Sequence, residues 1–171
     1  MSASNTPASG TPASGTPASV AALPDERDRL GYAGDIDPQT AYAVLSKEKA
    51  AVLIDVRTVP EWNFVGLPDL SQLHKQVLTV EWQRYPGMEQ AADFNQQVEQ
   101  LLADLKAAPD APLIFLCRSG VRSRAAAISM TRAGHARCYN LAGGFEGDLG
   151  PDSRRGGVNG WKHAGLPWRQ R

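Results

Sequence analysis

Pro112-Leu113-Ile114-Phe115-Leu116-Cys117-Arg118-Ser119-Gly120-Val121-Arg122-Ser123 changes character at a single residue. Up to Leu116 it is an unbroken apolar run without the alternation of a half-solvated strand. Such a run suits a strand covered on both faces, as in a parallel sheet. At Cys117 the run stops and a polar, glycine-containing loop begins. From Ser123 onward, Ala125, Ala126, Ala127, Ile128 and Met130 favour a helix that closes near Gly134, with His135 just beyond the C-cap. The predicted order is strand, loop, helix, with Cys117 at the carboxyl end of the strand.

Outward from this stretch the same alternation recurs. Ala51-Val52-Leu53-Ile54-Asp55-Val56 is a second continuous apolar run and predicts a second buried strand. Asp37 followed by Pro38 reads as an N-cap and a first-turn proline, opening a helix through Ala41, Val44 and Leu45; order is expected to begin near Ile36. A longer helix is predicted from about Met88 to Ala107, because Phe94, Val98, Leu101, Leu102 and Leu105 fall on one stripe. A last short strand through Cys138 and Tyr139 leads to a Gly143-Gly144 turn. Alternating strands and helices of this kind predict an α/β fold whose central sheet is mainly parallel. Sites in such sheets form beyond the carboxyl ends of the strands, where Cys117 stands.

The chain is about the size of one domain plus a tail. Residues 1–30 are expected to be a disordered low-complexity tail and 31–171 the folded domain. The tail repeats Thr6-Pro7-Ala8-Ser9-Gly10 and Thr11-Pro12-Ala13-Ser14-Gly15, a unit too short and too polar to bury a face. Lys and Arg together number 18 and Asp and Glu 18, so no overall field favours nucleic acid or an anionic membrane, and neither is expected as a partner. Two cysteines are too few for the disulfide framework of a small secreted domain. The residues before Asp25 lack the basic and hydrophobic regions of a secretory signal, and no segment approaches the roughly 20 apolar residues that span a bilayer. A cytoplasmic location is the expectation.

The loop itself carries the chemistry. A cysteine between a strand and a following helix faces unpaired backbone N–H groups and the positive end of the helix dipole, an environment that favours a thiolate over the thiol. Arg118, Arg122 and Arg124 add positive charge. Gly120 permits a positive φ, and Ser119 can donate a hydrogen bond. The loop is therefore an anion cradle with a nucleophile at its base. Cysteine-dependent phosphatases use a similar device with a Cys-x5-Arg spacing; here only four residues separate Cys117 from Arg122. The smaller cradle suits one extra sulfur atom better than a phosphoryl group, and sulfur transfer ranks above phosphate hydrolysis.

Cys117-Arg118-Ser119-Gly120-Val121-Arg122-Ser123 resembles the active-site loop of the rhodanese family. Leu53-Ile54-Asp55-Val56-Arg57 with Glu61-Trp62 looks like that family's first core strand and its acidic follow-up. Asn140-Leu141-Ala142-Gly143-Gly144 looks like its late glycine turn, and Gly160-Trp161 through Gly165-Leu166-Pro167 like its end. The likeness runs from about Ile36 to Trp168. It implies a three-layer fold with helices on both faces of the sheet. By the same resemblance, Cys117 forms a persulfide, the N–H groups from Arg118 through Ser119, Gly120 and Val121 to Arg122 stabilise the sulfur, and Arg118 and Arg122 receive an anionic donor such as thiosulfate. A thiophilic acceptor, cyanide or a small thiol, then removes the sulfur. Asp55, Arg57, Glu61 and Ser123 are supporting candidates. A sulfur-carrier or sensing module fed by a relay partner, with little turnover of its own, is the alternative.

Two segments depart from the family pattern. After Glu61 the chain runs Val65-Gly66-Leu67-Pro68-Asp69-Leu70 and then on to Pro86, which alters the substrate rim. Residues 148–159 are an insertion rich in Gly, Asp and Arg, read as a solvated loop with a lid as the alternative. Cys138 lies in an apolar strand and reads as a core thiol, with a resolving role for Cys117 as the alternative. His74, His135 and His163 show no ligand spacing, so neither metal nor cofactor is expected. Arg124 extends the positive rim or is simply solvated; Trp62, Trp82, Trp161 and Trp168 are read as packing residues.

Overall fold

In the computed structural model, which describes residues 22–170, the two apolar runs lie side by side as parallel strands, Leu53 opposite Ile114 and Ile54 opposite Phe115. The elements in chain order are α1 (Arg27–Leu30), β1 (Gly34–Ile36), α2 (Pro38–Lys47), β2 (Val52–Asp55), α3 (Val59–Phe64), β3 (Leu67–Pro68), a 3-10 turn (Ser71–Leu73), β4 (Leu78–Thr79), β5 (Gln83–Arg84), β6 (Glu89–Gln90), α4 (Phe94–Asp104), β7 (Leu113–Leu116), α5 (Val121–Arg132), β8 (Cys138–Leu141), α6 (Gly160–His163) and β9 (Trp168–Arg169). Five strands form one sheet in the order β1-β8-β7-β2-β4, every pairing parallel. Two small antiparallel pairs, β3 with β9 and β5 with β6, stand outside it.

The strands read as continuous apolar runs because both faces are covered. Val52, Ile54, Leu113 and Phe115 pack on one side with Phe94, Val98 and Leu102 of α4 and Ala126, Ala127 and Met130 of α5. Leu53, Ile114, Leu116, Tyr139 and Leu141 pack on the other with Ala41, Val44 and Leu45 of α2 and with Phe145 and Trp161. This is the expected α/β fold in three layers. Asp37 caps α2 as its sequence predicts, its carboxylate accepting from the Thr40 N–H at 3.0 Å, with Pro38 in the first turn.

Three expectations require correction. Ordered structure starts before Ile36, within the stretch assigned to the tail: α1 is helical, Leu30 packs on the core, and the Glu26 N–H reaches the Ala33 carbonyl at 3.0 Å. The apolar contacts of Leu23 and Leu30 anchor this segment; the Thr-Pro-Ala-Ser-Gly repeats lie outside the described residues. The helix predicted from Met88 starts only at Phe94, because Gln83 pairs with Gln90 and Arg84 with Glu89 in a hairpin closed by the Arg84–Asp93 ion pair. Pro86-Gly87, a turn dipeptide, is the local signal for it. Leu105 lies past the end of α4 and is 40% exposed, so it is not part of the buried stripe. Among the described residues no helix is long and apolar enough to cross a membrane.

Candidate functional site

Cys117 follows β7 and precedes α5, and strand alternation turns its side chain to the face that α5 covers, beside Phe115 in the packing. It is 1% exposed. The Gly120 N–H donates to Sγ at 3.1 Å, and Gly120, at φ 107, occupies the left-handed region that lets the chain turn back over the sulfur. The loop and the first turn of α5 thus close around Cys117.

The back of the loop is stitched to the turn after β8. The Phe145 N–H reaches the Cys117 carbonyl at 2.7 Å, and the N–H groups of Glu146 and Gly147 reach the Arg118 carbonyl at 3.0 and 3.2 Å. This approach requires Gly144: a Cβ there would lie 2.3 Å from the Cys117 carbonyl oxygen and 2.7 Å from the Arg118 carbonyl. The Gly143-Gly144 turn therefore belongs to the site's foundation. The insertion from 148 to 159 leaves from this turn and is mainly solvated, with Leu149 and Val158 exposed; its base is tied by the Asp148 N–H to Asn159 Oδ1 at 2.8 Å.

Arg122 is held from across the fold. Its Nη2 donates to Glu61 Oε1 at 2.7 Å and its Nη1 to Glu61 Oε2 at 2.8 Å. Glu61, in α3, also accepts from the Thr58 N–H and hydroxyl at 2.9 and 2.8 Å. Burial opposes ionisation of Glu61, but Arg122 and Thr58 outweigh it and hold the carboxyl down at about 2. Arg118, by contrast, is exposed and makes no salt bridge among the described residues.

Asp55 and Arg57 form a fully buried pair at the end of β2. Nε of Arg57 donates to Oδ1 at 2.9 Å, Nη2 to Oδ2 at 2.6 Å, and Nη2 also to the Gly66 carbonyl at 2.7 Å. The guanidinium carbon lies 4.1 Å from the centre of the Phe145 ring, while Nη1 is buried and has no hydrogen-bond partner among the described residues. Through Phe145, this pair touches the turn that supports Cys117. The pair braces the segment rather than facing the sulfur.

Ser123 brings in residues that sequence reasoning missed. Its Oγ lies 3.2 Å from Cys117 Sγ and 2.6 Å from Asn140 Oδ1. Asn140 Nδ2 donates to Asp35 Oδ1 at 2.8 Å, and Asp35 also accepts from the Tyr32 hydroxyl and Arg124 Nη2. Asn140 sits in β8 opposite both Phe115 and Asp35, and a polar side chain on the helix-facing side of a buried strand is the signal that marks it. Arg124, read as extending the positive rim or as simply solvated, is half exposed and pairs with Asp35.

Cys138 stands apart. Its register partner is Leu113, four residues before Cys117 along a parallel strand, so the two sulfur-bearing residues are separated by about 13 Å along the sheet, at roughly 3.3 Å per residue. A disulfide does not span that distance. Burial pushes the Cys138 thiol up to about 12. Among the described residues no group of three or more His, Cys, Asp or Glu side chains is placed to hold a metal ion. A cavity of about 610 Å³ lined by residues 49–52, 74–76 and 105–108 lies at the amino-terminal end of β2, the opposite end of the sheet from Cys117. The chemistry-bearing groups are therefore in the loop, not in that cavity.

The parallel sheet with helices on both faces is the α/β fold of rhodanese-like proteins, and it cradles Cys117 between a buried strand and the helix that follows it. The chain belongs to the family described as the STR4 middle domain, whose model matches residues 34–171. The crystal structure of Rv0390 from M. tuberculosis is similar over 82% of this chain and 99% of that one, at 45% identity and a TM-score of 0.73. An uncharacterized protein of Rickettsia conorii is 36% identical over 129 residues, 75% of this chain and 91% of the relative. The thiosulfate sulfurtransferase GlpE of Actinobacillus succinogenes is 26% identical over 133 residues, 78% of this chain and 87% of that protein.

Proposed function

We propose that the protein is a sulfurtransferase that moves a sulfane sulfur from thiosulfate or a persulfide donor to a thiol or cyanide through a persulfide on Cys117. The observation that carries this reading is the Gly120 N–H aimed at Cys117 Sγ at 3.1 Å at the mouth of α5, a donor placed for a sulfur anion. The Cys117 thiolate attacks the outer sulfur of thiosulfate, the S–S bond of the donor breaks, and sulfite leaves with the electron pair. The acceptor then attacks the outer sulfur of the persulfide and releases the Cys117 thiolate. With Arg122 directed to Glu61, Arg118 is the arginine left to meet an anionic donor. That pairing also argues against a phosphatase, whose loop arginine has to bind phosphate. Likeness to GlpE supports the donor chosen.

The burial of Cys117, 1% exposed, favours a second reading: a carrier or sensing module that takes sulfur from a relay partner and turns over slowly alone. One experiment separates these. The protein is incubated with thiosulfate, its intact mass is read, and cyanide is added. A gain of one sulfur atom, absent from Cys117→Ala, followed by repeated release of thiocyanate is the expected result; a stable adduct without turnover supports the carrier. Absence of both adduct and thiocyanate overturns the proposal.

A further inference from the structure

Ser123 has one hydroxyl proton and two acceptors within reach, Cys117 Sγ at 3.2 Å and Asn140 Oδ1 at 2.6 Å. Which of them receives it is decided two residues away. Asp35 is an acceptor only: burial opposes its ionisation, but hydrogen bonds from Tyr32 and Asn140 and the charge of Arg124 hold its carboxyl below the usual range. The Asn140 amide must therefore turn its NH2 group to Asp35, at 2.8 Å, and its carbonyl oxygen to Ser123. The short contact to Ser123 then draws the hydroxyl proton to Asn140, and the lone pairs of Ser123 Oγ face the sulfur.

We propose that Asn140, oriented by Asp35, is a positioning residue for Cys117, holding the Ser123 proton away from the sulfur so that Ser123 meets the resting thiol as an acceptor. The inference rests on the sulfurtransferase reading for its biological sense but not for its test. In the resting state Cys117 S–H donates to Ser123, Ser123 O–H to Asn140, and Asn140 N–H to Asp35. When the thiol gives its proton to solvent, Ser123 turns its O–H to the thiolate, and the buried Asn140 oxygen loses its partner. The network therefore restrains the free cysteine until a hydroxyl rotation arms it. The other charged groups on elements packed around this loop are Arg118 and Arg122 in the loop and helix, Glu61 on α3, the Asp55–Arg57 pair at the end of β2, and Glu146 in the turn after β8 with Lys162 of α6 beside it. None of them contacts the Ser123 hydroxyl.

The test is the pH midpoint of iodoacetamide alkylation at Cys117, read by peptide mass, with sulfur transfer measured alongside. Asn140→Ala removes the competing acceptor without changing charge. Asp35→Asn lets the Asn140 amide turn over. Each is expected to move the midpoint down by about one pH unit, which is about a tenfold gain in the reactive fraction below the midpoint. The shift is expected to vanish when the same substitution is made together with Ser123→Ala. An unchanged midpoint overturns the inference, as does a shift that persists without the Ser123 hydroxyl, the result a simple field effect of Asp35 would give. Melting curves identify a variant that fails to fold, and the two substitutions remove different groups, so the other still decides. A shifted midpoint with no sulfur transfer even in the parent protein supports this inference and sinks the sulfurtransferase reading.

Discussion

Arg122 and Glu61, 61 residues apart in the chain, form a two-pronged ion pair with N···O distances of 2.7 and 2.8 Å, joining the head of α5 to α3 across the mouth of the Cys117 loop. Both side chains are largely buried, 15% and 17% exposed, so the pair is screened less by salt than a surface pair. It positions the loop from outside, and its cost and benefit depend on pH.

Glu61 is held at about 2, below its ordinary value of 4.5. A depressed carboxyl contributes stability that is fully present above the unfolded-state value and is lost as pH falls through the folded one. The window is therefore from about pH 4.5 down to about 2. Glu61→Gln is expected to lower stability by about 3 kcal/mol at most at neutral pH. The gap between variant and parent, followed by thermal melting, should narrow across that window. A gap independent of pH would show that the charge of Glu61 is not what the pair contributes.

Arg57→Ala leaves the fully buried Asp55 carboxylate without its cation. Breaking such a pair from one side costs about 3–5 kcal/mol. Denaturant unfolding is the measure. A loss under 1 kcal/mol, roughly that of a surface pair, would mean that water enters and replaces the guanidinium.

Gly144→Ala places a methyl group 2.3 Å from the Cys117 carbonyl oxygen, at a backbone φ of 59. The turn after β8 and the Cys117 loop cannot both keep their places. Alkylation of Cys117 and sulfur loading are expected to fall at least tenfold, roughly the effect of about 1.4 kcal/mol on an equilibrium, with a lower melting temperature. Parent-like loading would show that the loop is not stitched through this turn.

Cys138→Ala is expected to leave sulfur loading unchanged, since Cys138 pairs with Leu113 at the far end of β7. Its thiol, pushed up to about 12 by burial, should resist alkylation in the folded protein at pH 8 and react only on unfolding. A Cys117–Cys138 disulfide detected in the folded protein would contradict the register.

Much of the architecture was legible because its signals are local. A run such as Leu113–Leu116 carries in four residues the statement that both its faces are covered, and Asp37-Pro38 carries its own helix start. The hairpin before α4 was hidden by a different cause: Met88 to Gln90 can continue the helical stripe of Phe94 and Val98, and only the pairing of Gln83 with Gln90 excludes it. Pairing is a property of two segments, and the periodicity of one of them does not report it.

The amino-acid order by itself determined that a cysteine stands between a covered strand and a helix, in a loop of arginines and a glycine, because backbone preference and burial pattern are written within a few neighbouring residues. Only the tertiary structure decided which groups those side chains meet. Arg122 turns to Glu61, Arg124 turns to Asp35 from 89 residues away, and Asn140 reaches Asp35 from 105. Those choices follow from the parallel register of β1, β8 and β7 and from the placement of Glu61 of α3 within reach of the head of α5, contacts between segments remote in sequence whose alignment no local pattern encodes.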